Sequence, residues 1–341
     1  MYGYKMSEYD YEVYQSKIAD FVPEKVIDAH THIFTKDCKK KVKVKHEGLV
    51  TWTSIVYDEL TIEDFHETYK TMLPKSETTP IVFGSPSGDL KKTNEYSQDV
   101  GKRYGHKTLY CTSYDMPAEE IEWALTEGGF CGIKPYLNNS PSYIPADEIR
   151  IFDFVPHEHL KVLDKYKANM VLHIARPQRL RDKVNVAQLM EIEEKYQDLK
   201  MTVAHIGRAY APDDLGDAFE TLKHSKNMTF DFCASTFAPA MRACLEAVGP
   251  KRLLFGSDMP ITKMRMYRIV ENGTYINVVP RGMYGDVSND PHMRETDEPN
   301  LTNFLYEEIM AFRKAAEEVG LSKEDVKDVF YNNAARLYGI E

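Results

Sequence analysis

The chain has 341 residues, 43% apolar and 28% charged, with 43 Lys+Arg against 53 Asp+Glu and a formal net charge of −10. That balance argues against a nucleic-acid binder, whose affinity rests on neutralising phosphates with lysine and arginine. No run of about 18 apolar residues is present to span a membrane as a helix.

The N-terminal MYGYKMSEYDYEVYQSKIADF is polar and tyrosine-rich and lacks the apolar segment of a secretory signal. Residues 1–24 read as an arm, a helix lying across the domain or a neighbouring subunit. A homo-oligomer is left open. Eight short apolar runs follow: Lys25–His30, Pro80–Gly84, Thr108–Cys111, Phe130–Lys134, Met170–Ile174, Met201–Ile206, Met228–Phe232 and Arg252–Gly256. Near-continuous apolar runs of this length suit strands buried on both faces of a parallel sheet.

Helical stretches are predicted between them. Thr61–Met72 opens on a Thr-x-x-Asp capping pattern (Thr61, Asp64). Pro117–Thr126 has proline at its start and Gly128-Gly129 beyond its end. His157–Lys167, Val186–Tyr196, Asp213–Lys223 and Pro239–Val248 also qualify. Strands alternating with helices imply right-handed βαβ units, and eight repeats imply an α/β fold, a (β/α)8 TIM barrel over residues 25–341 as one domain. An open doubly wound sheet is disfavoured, because no glycine-rich phosphate fingerprint follows a strand.

Three segments exceed the usual βα-loop length of about 2–6 residues: Thr35–Leu60, Tyr136–Pro156 and Pro260–Pro299. Each leaves the C-terminal end of a strand, so these long loops would wall or lid the catalytic face of a barrel. The first contains Lys39-Lys40-Lys41-Val42-Lys43-Val44-Lys45, either a solvated ribbon or an attractor of an anionic substrate. Cys38, Cys111, Cys131, Cys233 and Cys244 form no CxxC pair. An odd number at wide spacing predicts free thiols in a reducing cytoplasm. Cys111, Cys131 and Cys233 lie in strand-like runs and are expected to pack as small apolar groups.

Four of eleven histidines, His30, His32, His173 and His205, lie in or just after these apolar runs. In His30-Thr31-His32 the two imidazoles, two residues apart on a strand, point to one face. Asp258 closes the eighth run, and in a barrel that strand lies beside the first. Two imidazoles, a carboxylate and a further imidazole from His173 suit Zn2+ or another borderline divalent ion.

Asp28-Ala29-His30-Thr31-His32, His173, His205 and Gly256-Ser257-Asp258 together resemble the amidohydrolase superfamily. Within it the chain is most similar to the branch of aminocarboxymuconate-semialdehyde decarboxylase and predicted TIM-barrel metal-dependent hydrolases. The C-terminal Phe330-Tyr331-Asn332-Asn333-Ala334-Ala335-Arg336-Leu337-Tyr338-Gly339 resembles that branch's closing helix. The resemblance covers about residues 25–341, apart from the three long loops.

The resemblance implies one divalent metal, Zn2+ or else Mn2+, held by His30, His32 and His173, with Asp258 as ligand or as proton acceptor beside it. His205 would activate the metal-bound water or protonate the substrate. The implied activity is hydrolysis of an ester, lactone or amide carbonyl. The alternative is non-oxidative decarboxylation at the same site; a metal-retaining binding protein is a third reading. Lys134 ends the fourth run, where relatives with two metals carry a carbamylated lysine. It could take that role, bind a substrate carboxylate, or pair with an acid. Arg176 and Arg208, each three residues past a site histidine, would bind a substrate carboxylate or form surface ion pairs. Asp28 would support the site or cap its strand. The implied partner is a small anionic molecule, with no nucleic acid and no membrane.

Overall fold

The computed structural model describes residues 5–39, 57, 59–86 and 88–341. Of the lysine-rich run, all but Lys39 lies outside the described residues. Eight strands line up in chain order and pair in parallel: β1 (Lys25–His32), β2 (Glu77–Phe83), β3 (Lys107–Thr112), β4 (Gly132–Pro135), β5 (Asn169–Leu172), β6 (Lys200–Val203), β7 (Thr229–Asp231) and β8 (Leu253–Leu254). They fall on the eight apolar runs. β8 has only two residues, and the chain after it completes the ring. The Ala29 N–H donates to Phe255 O at 3.0 Å, Asp258 N–H to His30 O at 2.8 Å and His32 N–H to Met259 O at 3.0 Å. The architecture is a (β/α)8 barrel.

The helix Ile62–Met72 starts as its sequence predicts. The Thr61 hydroxyl accepts the Asp64 N–H, and the Asp64 carboxylate accepts the Thr61 N–H. Ala118–Thr126, His157–Lys165, Lys183–Lys195 and Ala238–Val248 occupy the other predicted places. Two differences have local causes. The stretch expected as one helix from Asp213 to Lys223 is broken into Pro212–Leu215 and Ala218–Leu222 by Gly216, whose φ of +54° and ψ of −143° no helix accommodates. Between β2 and β3 stands a helix the apolar pattern does not announce, Leu90–Tyr104. Its buried face consists of Thr93, Asn94, Ser97 and Val100, so its periodicity is almost entirely polar.

The third long segment is a structured element rather than an irregular loop. β9 (Tyr267–Glu271) and β10 (Thr274–Pro280) form an antiparallel hairpin, and β11 (Met293–Thr296) adds in parallel to β10. Asn272 and Gly273 both have positive φ, +49° and +80°, which a two-residue hairpin turn needs. Met264, Met266, Val279, Tyr284, Val287, Met293 and Phe304 form a small apolar core beneath this sheet.

The N-terminal helix Glu8–Val13 is fastened to the barrel by Asp10. This buried carboxylate accepts two bonds from the Arg265 guanidinium, at 2.6 and 3.1 Å, and one from the Thr302 hydroxyl at 2.8 Å. Tyr14 and Ile18 are buried, and the Tyr14 ring packs against Tyr306. Phe232, Phe255, Phe312 and Phe330 pack together in the main core.

Candidate metal centre

The alternation of β1 sends Asp28, His30 and His32 to one side of the strand. All three are buried. Asp28 accepts the Ser257 N–H at 2.8 Å, the Ser257 hydroxyl at 2.5 Å and the Tyr69 hydroxyl at 2.7 Å. It thereby ties the segment after β8 to β1, which brings Asp258 to the two histidines. Asp258 Oδ1 lies 2.9 Å from His32 Nε2 and 3.6 Å from His30 Nε2.

Each of three imidazoles is oriented by an acceptor at its Nδ1. His30 Nδ1 faces Asp231 Oδ2 at 3.0 Å, His32 Nδ1 faces Gly84 O at 2.9 Å, and His205 Nδ1 faces Cys233 O at 2.9 Å. The Nε2 lone pairs then point inward, the arrangement that outer carboxylates and carbonyls impose on metal-bound histidines. His205 Nε2 meets His173 Nε2 at 3.2 Å, and the His30 ring lies 4.8 Å from His205 and 5.8 Å from His173. The ligand atoms of His30, His32 and Asp258 all lie within 4.8 Å of one another. Neutral nitrogen donors with one carboxylate fit a borderline divalent ion.

The electrostatics suit that purpose. Burial, assisted by the charge of Lys134 and opposed by Asp231, lowers the His30 pKa to about 3. Burial and the Lys134 charge also hold His173 well below the ordinary histidine range. Burial lowers His205 against the pull of Asp258 and Asp231. Burial alone would raise Asp258, but the hydrogen bond with His32 and the neighbouring imidazoles bring it down to about 2. The resting centre therefore holds His30, His173 and His205 as neutral imidazoles beside an ionised carboxylate.

The backbone is bent for the same purpose. His205, Ile206, Gly207 and Arg208 form a left-handed turn with φ between +46° and +60°, and Asp258 has φ +57°. Left-handed backbone costs an L-residue about 1–2 kcal/mol. The hydrogen bond from the His205 N–H to Asp231 Oδ1 at 2.7 Å holds the turn in place.

Lys134 is fully buried, with Nζ 3.5 Å from His30 Nε2 and 4.9 Å from the centre of the Phe83 ring. Among the described residues no carboxylate lies within ion-pair distance of it, and burial lowers its pKa to about 8. It stands inside the centre rather than in a structural ion pair. Arg176 does not: its Nε donates to Asp182 Oδ2 at 2.9 Å, and Asp182 caps the helix Lys183–Lys195. The Arg208 guanidinium makes no hydrogen bond or ion pair among the described residues, and its charge is felt by His173 and Tyr210.

The sequence reading did not single out Asp231, Tyr136 or a polar role for Cys233. The Tyr136 hydroxyl donates to Gly84 O at 2.7 Å and lies 3.2 Å from His32 Nδ1. Instead of packing only as an apolar group, the Cys233 thiol donates to Asp231 Oδ1 at 2.8 Å. Asp231 had a signal: it is a carboxylate inside the apolar run Met228–Phe232, as Asp258 is at the end of its own.

Fold and centre together define a metal-dependent barrel enzyme that uses a divalent ion. The amidohydrolase family model matches residues 27–340, and the chain belongs to that family. The search of curated proteins finds no match. Among solved structures, a zinc-bound amidohydrolase from Burkholderia multivorans is 12% identical with a TM-score of 0.61, over 93% of this chain and 99% of that one. A manganese-bound dihydroxybenzoic acid decarboxylase from Polaromonas sp. JS666 is 13% identical with a TM-score of 0.54, over 93% of this chain and 99% of that one. A 4-oxalomesaconate hydratase from Rhodopseudomonas palustris is 15% identical with a TM-score of 0.53, over 92% and 96% of the two chains. These likenesses are likenesses of fold. Among the described residues no helix is long and apolar enough to cross a membrane.

Proposed function

We propose that the chain is a hydrolase of a small carboxylate-bearing ester, lactone or amide, with His30, His32, His173 and Asp258 as metal ligands and His205 as the proton-handling imidazole. The observation that carries this reading is the set of inward-facing Nε2 atoms beside an ionised Asp258. When bound, a divalent ion polarises a carbonyl and brings the pKa of a coordinated water to about 7. Asp258 accepts the proton that the attacking water sheds. His205, its Nδ1–H held by Cys233 O, takes up that proton at Nε2 and hands it to the leaving group, which restores both side chains. Lys134 faces the same space and draws the substrate's negative charge toward it. Zinc is the ion we favour, since imidazole-rich sites suit it, with manganese as second choice.

Decarboxylation is the second reading, supported by the decarboxylases among the similar folds. There His205, protonated at Nε2 from solvent, delivers that proton to the carbon that loses CO2. The test is metal analysis followed by a substrate panel that follows CO2 release and ester or lactone cleavage separately. Cleavage without CO2 supports the hydrolase; CO2 without cleavage rejects it. His30→Ala, His32→Ala and Asp258→Asn should each lower metal content and turnover by about 100-fold or more. Full activity in any of them rejects the assignment.

A further inference from the structure

Beside the centre lies an arrangement that the metal chemistry does not use. Tyr210 packs on His205 with ring centres 6.2 Å apart, and Tyr275 of β10 packs edge-on to Tyr210 at 5.3 Å. Two guanidiniums flank these rings. Arg179 lies 5.3 Å from the Tyr210 centre and 4.9 Å from that of Tyr275. Arg268 of β9 lies 4.9 Å and 4.6 Å from the same rings and 4.8 Å from that of Phe304.

The charges do not balance. Arg179 is paired, its Nη1 donating to Asp214 Oδ2 at 2.6 Å. Among the described residues Arg268 reaches only neutral acceptors: Asn277 Oδ1 at 2.8 Å from Nε and Ala234 O at 3.1 Å from Nη1. Its Nη2 has no acceptor among the described residues, and Arg208 has no partner there at all. The carboxyl that acts most on Arg268 is Glu308. That group is fully buried, accepts the Ala234 N–H at 2.6 Å, and is pushed by burial toward its neutral form. Aromatic faces stabilise a cation by about 0.5–2 kcal/mol but do not neutralise it. In a chain of net charge −10, Arg268 stands one ring away from His205 without a carboxylate among the described residues, and Arg208, three residues past His205 and likewise unpaired there, acts on the same Tyr210 through its charge. A partly desolvated cation is retained where an anion completes it.

We infer that Arg268 and Arg208 form a carboxylate subsite beside Tyr210, which holds a second acidic group of the substrate, distal to the reacting carbon. This rests on the reading that the substrate reacts at the His30–His32–Asp258 centre. It assigns a task to the β9–β11 sheet: the sheet carries the guanidinium that selects a dianion over a monoanion. Arg268 would be pre-positioned by its stack, with Nη2 free to bond an incoming oxygen.

Binding can be read without turnover. Isothermal titration of the full-length, metal-loaded chain with isophthalate and glutarate, against benzoate and butyrate, should show at least one dicarboxylate bound about tenfold more tightly than its monoacid. Arg268→Met should weaken that dicarboxylate about 10- to 100-fold, with less than about a twofold change for the monoacid, and Arg268→Lys should restore part of the loss. Arg208→Gln, outside the aromatic stack, gives an independent reading and should weaken the same ligand. Equal affinity for di- and monoacids in the wild type, or unchanged dicarboxylate affinity in both Arg268→Met and Arg208→Gln, overturns the subsite. A chain that binds a dicarboxylate through Arg268 but cleaves no carbonyl supports the subsite and rejects only the hydrolase.

Discussion

Replacing Asp231 with asparagine changes one atom and inverts the logic of the centre. Asp231 Oδ1 accepts two bonds, from the His205 N–H at 2.7 Å and the Cys233 thiol at 2.8 Å, while Oδ2 faces His30 Nδ1 at 3.0 Å. In Asp231→Asn the amide oxygen must stay at the doubly bonded position, because an NH2 there would meet two donors. The amide nitrogen then faces His30 Nδ1. That ring can satisfy it only by moving its own proton to Nε2, the atom that should carry the metal-binding lone pair. The lost charge-assisted bond is worth about 1.5–3 kcal/mol, so zinc affinity should fall by about 10- to 100-fold. The fold should survive, since every buried polar atom keeps a partner. Asp231→Ala is the wrong probe, because it orphans three donors and costs stability as well. The assay is chelator competition for zinc on wild type and Asp231→Asn, with far-ultraviolet circular dichroism as control. Undiminished zinc affinity in a folded variant would refute the tautomer argument.

Two further predictions concern stability. Burial raises the half-buried Glu307 carboxyl from its ordinary 4.5 to about 7. The folded chain therefore binds this proton more tightly than the unfolded chain, and stability is lost as pH rises from about 4.5 to about 7. Glu307→Gln should stabilise the chain by about 2 kcal/mol near pH 8, allowing for its partial exposure, and leave it unchanged near pH 4. Urea midpoints at the two pH values check this, and a pH-independent difference rules it out. Gly132 starts β4 so close to β5 that an added Cβ would sit 2.0 Å from Asn169 O, a backbone atom that cannot swing away. Gly132→Ala should separate the two strands and cost about 3 kcal/mol or more, visible as a lowered melting temperature.

The barrel was legible in the sequence because parallel strands buried on both faces are spelled as apolar runs. The histidines were legible because an imidazole that ends such a run has nowhere to go but the barrel mouth. Asp231 was equally visible as a charge in an apolar run and was passed over because its work is to orient His30 rather than to touch a ligand. Helix Leu90–Tyr104 buries threonine, asparagine and serine, so no periodicity marks it. The β9–β11 sheet did have a sign in Asn272-Gly273, but its strands are half-exposed and alternate weakly. The fates of Arg176 and Arg268 were not legible at all. Whether a guanidinium finds a carboxylate depends on loops that meet only in three dimensions.

The seam between β8 and β1 is the thinnest part of the ring, since β8 has two residues and the rest of the joint is single bonds and the Asp28 carboxylate. His30 and His32 stand on one side of that seam and Asp258 on the other. An ion held by all three would act as a clasp on the barrel, fastening the first strand to the last across a loop of more than two hundred residues. Loading the site and resisting unfolding would then be one equilibrium, linked through the free-ion concentration. A melting curve recorded against added zinc would serve as a gauge of site occupancy even before any substrate has been identified.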